Sequence, residues 1–190
     1  MTKVRQIRTD RVLLALLLRC FPRPCRLIEA GSNTGHLSLV LAQRGYQITL
    51  LDCLQKPIDI AAENFARKHV AADFRVDNIL SVIGEWDGVW NSGVLQCYGP
   101  SDRSALVDKL CELAPRVLFI YPDVTHPRFP KDFRFEVPGG IDGCIQYPAQ
   151  DVVSLVAKHC TMVRHGTIAP RIIGLNYPIE YVWGDRGRPY

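Results

Sequence analysis

Two short apolar segments near the N-terminus each end in an acidic residue, and a glycine-containing turn lies between them. The first segment ends at Glu29-Ala30, the turn contains Gly31 and Gly35, and the second segment ends at Asp52. This pattern predicts a strand, a tight turn, an amphipathic helix and a second strand. Units of this kind hold a nucleotide-like ligand against backbone amides of the turn, and the acid after the second strand binds ribose hydroxyls.

Strand-like apolar runs and amphipathic helix-like segments alternate about five times along the chain, which is typical of a parallel sheet. The predicted strands are Cys25 to Ala30, Gln47 to Leu51, Phe74 to Val76, Asp87 to Asn91, Val117 to Tyr121, Met162 to Ile168 and Ile179 to Trp183. The predicted helices are the first 20 residues, Gly35 to Arg44, a helix with Pro57 in its first turn, a helix capped by Ser101, and Asp151 to His159.

These elements predict an α/β fold with a doubly wound, mostly parallel seven-stranded sheet. Right-handed crossovers place helices on both faces of such a sheet. No helix is predicted between the last two strands, so we expect them to form a C-terminal antiparallel hairpin that closes the sheet.

The length of 190 residues and the apolar content of 47% predict one domain, residues 1–190, with a proper hydrophobic core. Residues 1–24 are expected to be an N-terminal helix, and residues 122–148 an irregular insertion on the substrate side. The large apolar residues of the insertion are Phe129, Phe133, Phe135, Ile141 and Tyr147. They either wall a pocket for a small molecule or form a small core of their own within a surface loop.

The apolar run from Val12 to Leu18 has two readings. Basic residues precede it, as in a signal peptide, but Arg19 ends it after seven residues and no small-x-small cleavage site follows. A membrane-spanning helix needs roughly 20 apolar residues. We therefore favour a buried helix that packs on the sheet and ends before Pro22 and Pro24.

Cysteine content and net charge bear on three properties: disulfide formation, metal binding and nucleic-acid binding. The seven cysteines are odd in number and none has CxxC spacing, so we expect free thiols, a cytoplasmic location and no metal site. The net charge of +4 comes from scattered basic residues, which gives no strong nucleic-acid signal.

The residues around the predicted ligand site resemble the class I S-adenosylmethionine-dependent methyltransferases over most of the chain. Residues 29–35, Glu-Ala-Gly-Ser-Asn-Thr-Gly, match the family's acidic-x-Gly-x-Gly-x-Gly loop, with Asn33 in place of the middle glycine. Asp52 lies where the family has its ribose-binding acid. Residues 77–79 resemble the segment that meets the adenine, and residues 87–95 resemble the fourth strand and the loop after it.

The resemblance implies S-adenosyl-L-methionine as cofactor and a set of residues that hold it. That set is Glu29, Gly31, Ser32, Asn33, Gly35, Asp52, Cys53, Asp77, Asn78, Ile79, Asn91 and Gly93. Glycine lets the backbone approach a ligand and turn sharply, and asparagine is the other residue that best tolerates a left-handed conformation. Asp52 can accept ribose hydroxyls, Asp77 can accept an exocyclic amine, and Glu29 can orient loop amides or meet an ammonium group.

Two other cofactor classes fit the sequence less well. The nicotinamide dinucleotide fingerprint needs glycine at its first, third and sixth positions, which are Gly31, Asn33 and His36 here. Asn33 and His36 therefore do not meet the glycine requirement of the fingerprint. A P-loop is excluded because no glycine-lysine-Ser/Thr sequence follows the turn.

Methyl transfer from a sulfonium is an in-line displacement that depends mainly on positioning and on the exclusion of water. A general base helps only when the acceptor keeps its proton at neutral pH. The loops after the fourth and fifth strands lie nearest the reacting methyl group in this fold. They supply the catalytic candidates, with His126 as the base and with Asp123 and Tyr98 as its partners.

The acceptor is expected to be a small molecule, methylated on an O, N or C atom. Residues 91–94, Asn-Ser-Gly-Val, differ from the Asn-Pro-Pro-aromatic motif of enzymes that methylate amino groups of bases or glutamine. Two alternatives remain: a non-catalytic relative that keeps the fold for protein interaction, and a methyltransferase acting on protein or RNA. We expect no membrane association and either a monomer or a homodimer.

Overall fold

The computed structural model describes residues 3–130, 147–173, 175 and 177–187. The strands are β1 (Arg26–Ala30), β2 (Gln47–Asp52), β3 (Asp73–Val76), β4 (Gly88–Ser92), β5 (Arg116–Pro122), β6 (Met162–Ile168) and β7 (Ile179–Asp185). The helices are α1 (Lys3–Cys20), α2 (His36–Ala42), α3 (Gln55–Arg67), α4 (Pro100–Leu113), α5 (Ala149–Val156) and α6 (Pro170–Ile173), with a 3-10 turn at Leu95–Cys97.

The strands form one seven-stranded sheet in the order β3-β2-β1-β4-β5-β7-β6. β1 pairs in parallel with β2 and β4, and the parallel pairing continues to β3 on one side and β5 on the other. β7 inserts antiparallel between β5 and β6. The predicted fold class is therefore confirmed, including the antiparallel pair at the C-terminus. The chain order reverses between β1 and β4, which is where ligands bind in open α/β sheets.

Successive residues of each strand face opposite sides of the sheet, so the chain builds two cores. Leu27 of β1 packs with α1, α2 and α3, whereas its neighbour Ile28 packs with α4 and α5. Both side chains are fully buried. The predicted helices on both faces are thus observed, and the sheet is covered where its strands are most apolar.

Several boundaries differ from the predictions by one or two residues, as helix and strand ends often do. A larger difference concerns Ser101, which is not the cap of α4. The helix begins at Pro100 and its N-cap residue is Gly99. Proline suits the first helical position because its missing N–H would have no intrahelical partner there. The short helix α6 lies in what was predicted to be a plain connection between the last two strands.

The apolar run of α1 packs on the sheet, as the buried-helix prediction requires. Leu13, Leu16 and Leu17 are buried in the same core as Leu27 and Leu118 of the sheet. Within the described ranges, no helix is both long and apolar enough to cross a membrane.

Replacement of Leu17 by alanine tests this packing. Leu17 is fully buried, so Leu17→Ala should lower the free energy of unfolding by about 2–5 kcal/mol. Urea denaturation measures the loss, and Arg11→Ala, at an exposed position of the same helix, should change it by less than about 0.5 kcal/mol. Equal stabilities of Leu17→Ala and the unaltered protein would show that α1 does not contribute to the core.

Candidate functional site

The turn after β1, residues 31–35, is here called the glycine loop. Its backbone is left-handed at alternate positions, with φ of 72° at Gly31, 48° at Asn33 and 62° at Gly35. A Cβ atom at Gly31 would overlap the side chain of Val94, and one at Gly35 would overlap Leu50. The two glycines are therefore required by both conformation and space, and Asn33 adopts the left-handed conformation that asparagine tolerates.

The first three amides of the glycine loop donate hydrogen bonds to the end of β2. The carbonyl of Leu51 accepts from the N–H groups of Gly31 at 2.8 Å and Ser32 at 2.9 Å. Asp52 Oδ2 accepts from the N–H of Asn33 at 2.9 Å. These amides are thus engaged within the protein, which differs from the predicted amide contact with the ligand. The arrangement does not present them to a pyrophosphate, the group that the same turn binds in dinucleotide-binding proteins.

Asp52 lies at the carboxyl end of β2, and its carboxylate is fixed by backbone donors on both oxygens. Oδ2 accepts from Asn33, and Oδ1 accepts from the N–H of Leu54 at 3.1 Å. Each carboxylate oxygen has a second lone pair, so the group keeps acceptor capacity for two hydroxyls. The side chain is half-buried, and a ligand can reach it.

The segment after β3 lies beside Asp52, as predicted. The N–H of Asp77 donates to the carbonyl of Asp52 at 3.1 Å. Asp77 Oδ1 in turn accepts from the N–H of Asn78 at 2.7 Å and from Ser81 Oγ at 3.2 Å. Ile79 is buried in the core on the α4 and α5 side of the sheet. The segment therefore offers an acidic group and an apolar surface next to the predicted ribose contact.

The loop after β4 reaches across to the glycine loop. Gly93 has a φ of 77°, and its N–H donates to the carbonyl of Ile120 at 2.9 Å. The side chain of Val94 fills the space over Gly31. Asn91 is 1% exposed, and neither its Oδ1 nor its Nδ2 has a hydrogen-bond partner among the described residues. A buried amide that lacks both bonds is costly to folding.

Glu29 is a buried acid directly before the glycine loop. It is in register with Leu50 on β2 and Trp90 on β4, and its Oε2 has no hydrogen-bond partner among the described residues. Burial raises the pKa of Glu29 to about 8, and the negative charge of Asp52 contributes to the increase. The carboxyl is therefore largely neutral at pH 7, and a bound ammonium would favour its ionised form.

The three predicted catalytic residues do not form a hydrogen-bonded group. Asp123 Oδ1 accepts from the backbone N–H of Thr125 at 2.9 Å and from its hydroxyl at 2.5 Å. His126 lies in the same turn, and its Nδ1 accepts from the N–H of Arg128 at 3.2 Å. That bond places the proton of a neutral imidazole on Nε2. Within the described ranges, no side-chain hydrogen bond links Asp123 to the imidazole.

Tyr98 lies in the electrostatic environment of the residue that follows Asp52. Burial raises the pKa of Tyr98, and the nearby Cys53 and Cys97 contribute. Cys53 directly follows Asp52, so Tyr98 lies within electrostatic range of the loop after β2. Its phenol keeps its proton at neutral pH and serves as a hydrogen-bond donor.

The predicted insertion is described only at its two ends. Phe133, Phe135 and Ile141 lie outside the described residues. Phe129 and Tyr147 are both 8% exposed. Phe129 packs edge-on against Tyr177 with ring centroids 4.9 Å apart, and Tyr147 packs against Tyr121 at 5.3 Å. These two aromatic residues therefore belong to the folded protein at the carboxyl edge of the sheet.

Three further buried side chains near this edge were not predicted as site residues, namely Gln96, Arg103 and Tyr121. Gln96 carried a weak sequence signal, because it interrupts the apolar run Val94-Leu95-Gln96-Cys97. Arg103 and Tyr121 carried none. Their positions follow from the packing of α4 and residue 147 against β5, which sequence periodicity does not specify.

Comparisons with known proteins agree with the fold. No protein-family model and no curated protein sequence matches the chain. Among solved structures, the chain is similar to magnesium protoporphyrin IX methyltransferase from Synechocystis PCC 6803 with bound SAM, with a TM-score of 0.72 and 20% identity, over 96% of this chain and 81% of that one.

Two further solved structures resemble the chain to a similar degree. One is 1,6-didemethyltoxoflavin-N1-methyltransferase from Burkholderia thailandensis, with a TM-score of 0.67 and 17% identity, over 93% of this chain and 78% of that one. The other is N-methyltransferase NodS from Bradyrhizobium japonicum WM9, with a TM-score of 0.68 and 15% identity, over 94% of this chain and 87% of that one. The chain thus has the class I methyltransferase fold.

The pH dependence of stability tests the environment of Glu29. Its folded pKa of about 8 lies above the ordinary value of 4.5, so the folded chain holds a proton that the unfolded chain releases between these values. The free energy of unfolding should therefore fall as pH rises through this range, by up to about 1.4 kcal/mol per pH unit. Glu29→Gln imitates the neutral acid and should remove this component.

Urea unfolding of both proteins between roughly pH 5 and pH 8 measures the difference. The stability of Glu29→Gln relative to the unaltered protein should increase steadily with pH. Glu63→Gln, at an exposed position of α3, is the control and should give no such trend. Parallel pH profiles for Glu29→Gln and the unaltered protein would contradict the raised pKa.

Proposed function

We propose that the protein is an S-adenosylmethionine-dependent methyltransferase that acts on a small molecule. One observation carries the proposal: the glycine loop donates its first amides to Leu51 and Asp52, while the Asp52 carboxylate keeps acceptor capacity at the edge of the sheet. A nucleoside cofactor without phosphates needs a carboxylate for its ribose and needs no cradle of free amides.

The residues of the site fit the other parts of this cofactor. Asp77 supplies an acceptor for the adenine amine, with Ile79 two residues after it and Cys53 directly after Asp52. Glu29 supplies a buried carboxyl for the ammonium group, and its unpartnered Oε2 is the atom that such a group would satisfy. When bound, the cofactor supplies an electrophilic methyl group on its sulfonium. Asn91 and Gly93 then line the methionine side, in the loop that also contacts Gly31 through Val94.

A small acceptor is supported by the surroundings of the site and by the structural neighbours. Phe129 and Tyr147 close the carboxyl edge with aromatic surface. Two of the neighbours are named for small-molecule substrates, a magnesium porphyrin and a toxoflavin precursor. A cytoplasmic location is part of the proposal, since Cys20, Cys25, Cys53, Cys111 and Cys160 carry free thiols.

Positioning and exclusion of water are the main contributions of the protein to methyl transfer. For an acceptor that keeps its proton at neutral pH, we propose His126 as the general base, with Asp123 and Tyr98 near the acceptor. The imidazole would then exchange its bond with the Arg128 amide for one with the acceptor, because Nδ1 holds the available lone pair.

Binding of S-adenosylhomocysteine, measured by calorimetry, tests the cofactor. Asp52→Asn and Asp52→Ala should weaken binding by at least about tenfold, because each removes acceptors for the ribose hydroxyls. Asp59→Asn, at an exposed position of α3, is the matched control and should bind as the unaltered protein does. Failure of the folded, unaltered protein to bind S-adenosylhomocysteine would refute the proposed function.

The rate of methyl transfer tests whether His126 acts as the general base. Labelled S-adenosylmethionine is incubated with fractions of a metabolite extract, and the fraction that becomes labelled defines the assay. His126→Ala should then lower the rate by about a hundredfold or more, as expected for the loss of a general base. His159→Ala removes a half-buried histidine paired with Asp108 and should leave the rate unchanged. An unaltered rate in His126→Ala would assign catalysis to positioning alone.

A further inference from the structure

Two buried polar side chains near the carboxyl ends of β4 and β5 are not used by the cofactor site. Gln96 is completely buried and Tyr121 is 3% exposed. Gln96 Oε1 and Nε2 have no hydrogen-bond partner in the part of the chain that the structure describes. The same holds for the Tyr121 hydroxyl. Buried polar groups are nearly always paired, so two unpaired groups in one region indicate positions held for a ligand.

Both side chains lie at the edge where the methyl acceptor must enter. Gln96 is in the 3-10 turn directly after β4, and the bond from the Gly93 N–H to the Ile120 carbonyl ties that segment to β5. Asn91 is in register with Phe119, so Tyr121, two residues further along β5, faces the same side of the sheet.

A chain of contacts through Arg103 and Tyr147 connects the two residues. Arg103 donates from Nη2 to the carbonyl of Tyr98 at 3.1 Å and from Nε to the carbonyl of Leu95 at 3.5 Å, and so holds the turn on both sides of Gln96. Its guanidinium carbon lies 3.8 Å from the centroid of the Tyr147 ring, which packs on the Tyr121 ring at 5.3 Å. This group of side chains is preorganised, because Arg103, Tyr121 and Tyr147 are buried and packed together before any ligand binds.

The chemistry of the pair defines what it can recognise. The carboxamide of Gln96 offers one acceptor and two donors side by side, which match a neighbouring donor and acceptor on a ligand. Burial raises the pKa of Tyr121, and the nearby Glu180 adds to the increase. The hydroxyl therefore remains a donor at neutral pH. The Tyr147 ring packs on both the Arg103 guanidinium and the Tyr121 ring, so recognition by the pair rests on its hydrogen-bonding groups, which match a planar amide-type edge.

We propose that Gln96 and Tyr121 are specificity residues for the methyl acceptor, and that the acceptor is a small planar molecule with an amide-type edge, an N–H beside a C=O. The proposal rests on the proposed methyltransferase function and names the substrate class of that site. A site built to hydrogen-bond such an edge rejects an analogue without it, because the buried polar groups would stay unpaired.

The test uses 2-pyridone, a planar ring with an amide-type edge, and benzene, a ring without it. Each is titrated into the full chain saturated with S-adenosylhomocysteine, and the backbone amide signals around position 96, which Gln96→Leu retains, are followed by NMR. 2-Pyridone should shift these signals in a saturable manner, and benzene should not. Gln96→Leu and Tyr121→Phe should each weaken 2-pyridone binding by at least about tenfold.

Thermal unfolding separates a ligand site from a structural one. Gln96→Leu should raise the melting temperature while it weakens 2-pyridone binding, because leucine leaves no unpaired amide in the core. Thr49→Val is the matched control, since Thr49 is buried and its hydroxyl accepts from Trp86 Nε1 at 3.0 Å. That variant should melt at a lower temperature and bind 2-pyridone normally.

Two results would contradict the assignment of Gln96 and Tyr121 alone. Calorimetry of S-adenosylhomocysteine binding on the same samples distinguishes these results from failure of the proposed function. If S-adenosylhomocysteine binds and 2-pyridone leaves the backbone amide signals around position 96 unchanged, the assignment of the acceptor class is wrong. If Gln96→Leu binds 2-pyridone as tightly as the unaltered protein, Gln96 has no part in recognition. If S-adenosylhomocysteine itself does not bind, the proposed function falls, and the inference with it.

Discussion

The hydrogen bonds between the end of β2 and the glycine loop organise the whole site. Leu51 uses one carbonyl to accept from Gly31 and Ser32, and Asp52 accepts from Asn33. These bonds hold the loop in its left-handed conformation and orient the Asp52 carboxylate at the same time. They also engage the amides that a phosphate would need, so one local arrangement both favours a nucleoside and disfavours a dinucleotide.

The carboxyl edge of the sheet contains an unusual number of buried polar atoms without partners in the described part of the chain. Glu29 lies in β1, Asn91 in β4 and Tyr121 in β5, and Gln96 lies in the turn after β4. Each reduces the free energy of unfolding, since a buried polar group without a hydrogen bond keeps its desolvation cost. A ligand that pairs with these groups would remove that cost.

The sequence predicted the strands and the order of the elements because periodicity records which residues are buried. The sequence-based prediction was wrong where the end of a helix depends on the identity of the adjacent residue. Ser101 was expected to cap α4, but Pro100 already begins the helix and Gly99 precedes it. The grouping of Asp123 with His126 came from the predicted position of both residues in the loop after the fifth strand. In the folded turn the Asp123 carboxylate contacts Thr125, and the imidazole contacts the Arg128 amide.

By itself the sequence determined the sheet, the two acids at the strand ends, and the left-handed conformation at Asn33. These features are local: they depend on residue type and on spacing within one strand, turn or helix. Only the tertiary structure decided that the loop amides are engaged by β2, that Glu29 is buried enough to hold its proton, and that Gln96 and Tyr121 lack partners. Such properties depend on contacts between residues that are distant in the chain, and no local pattern encodes them.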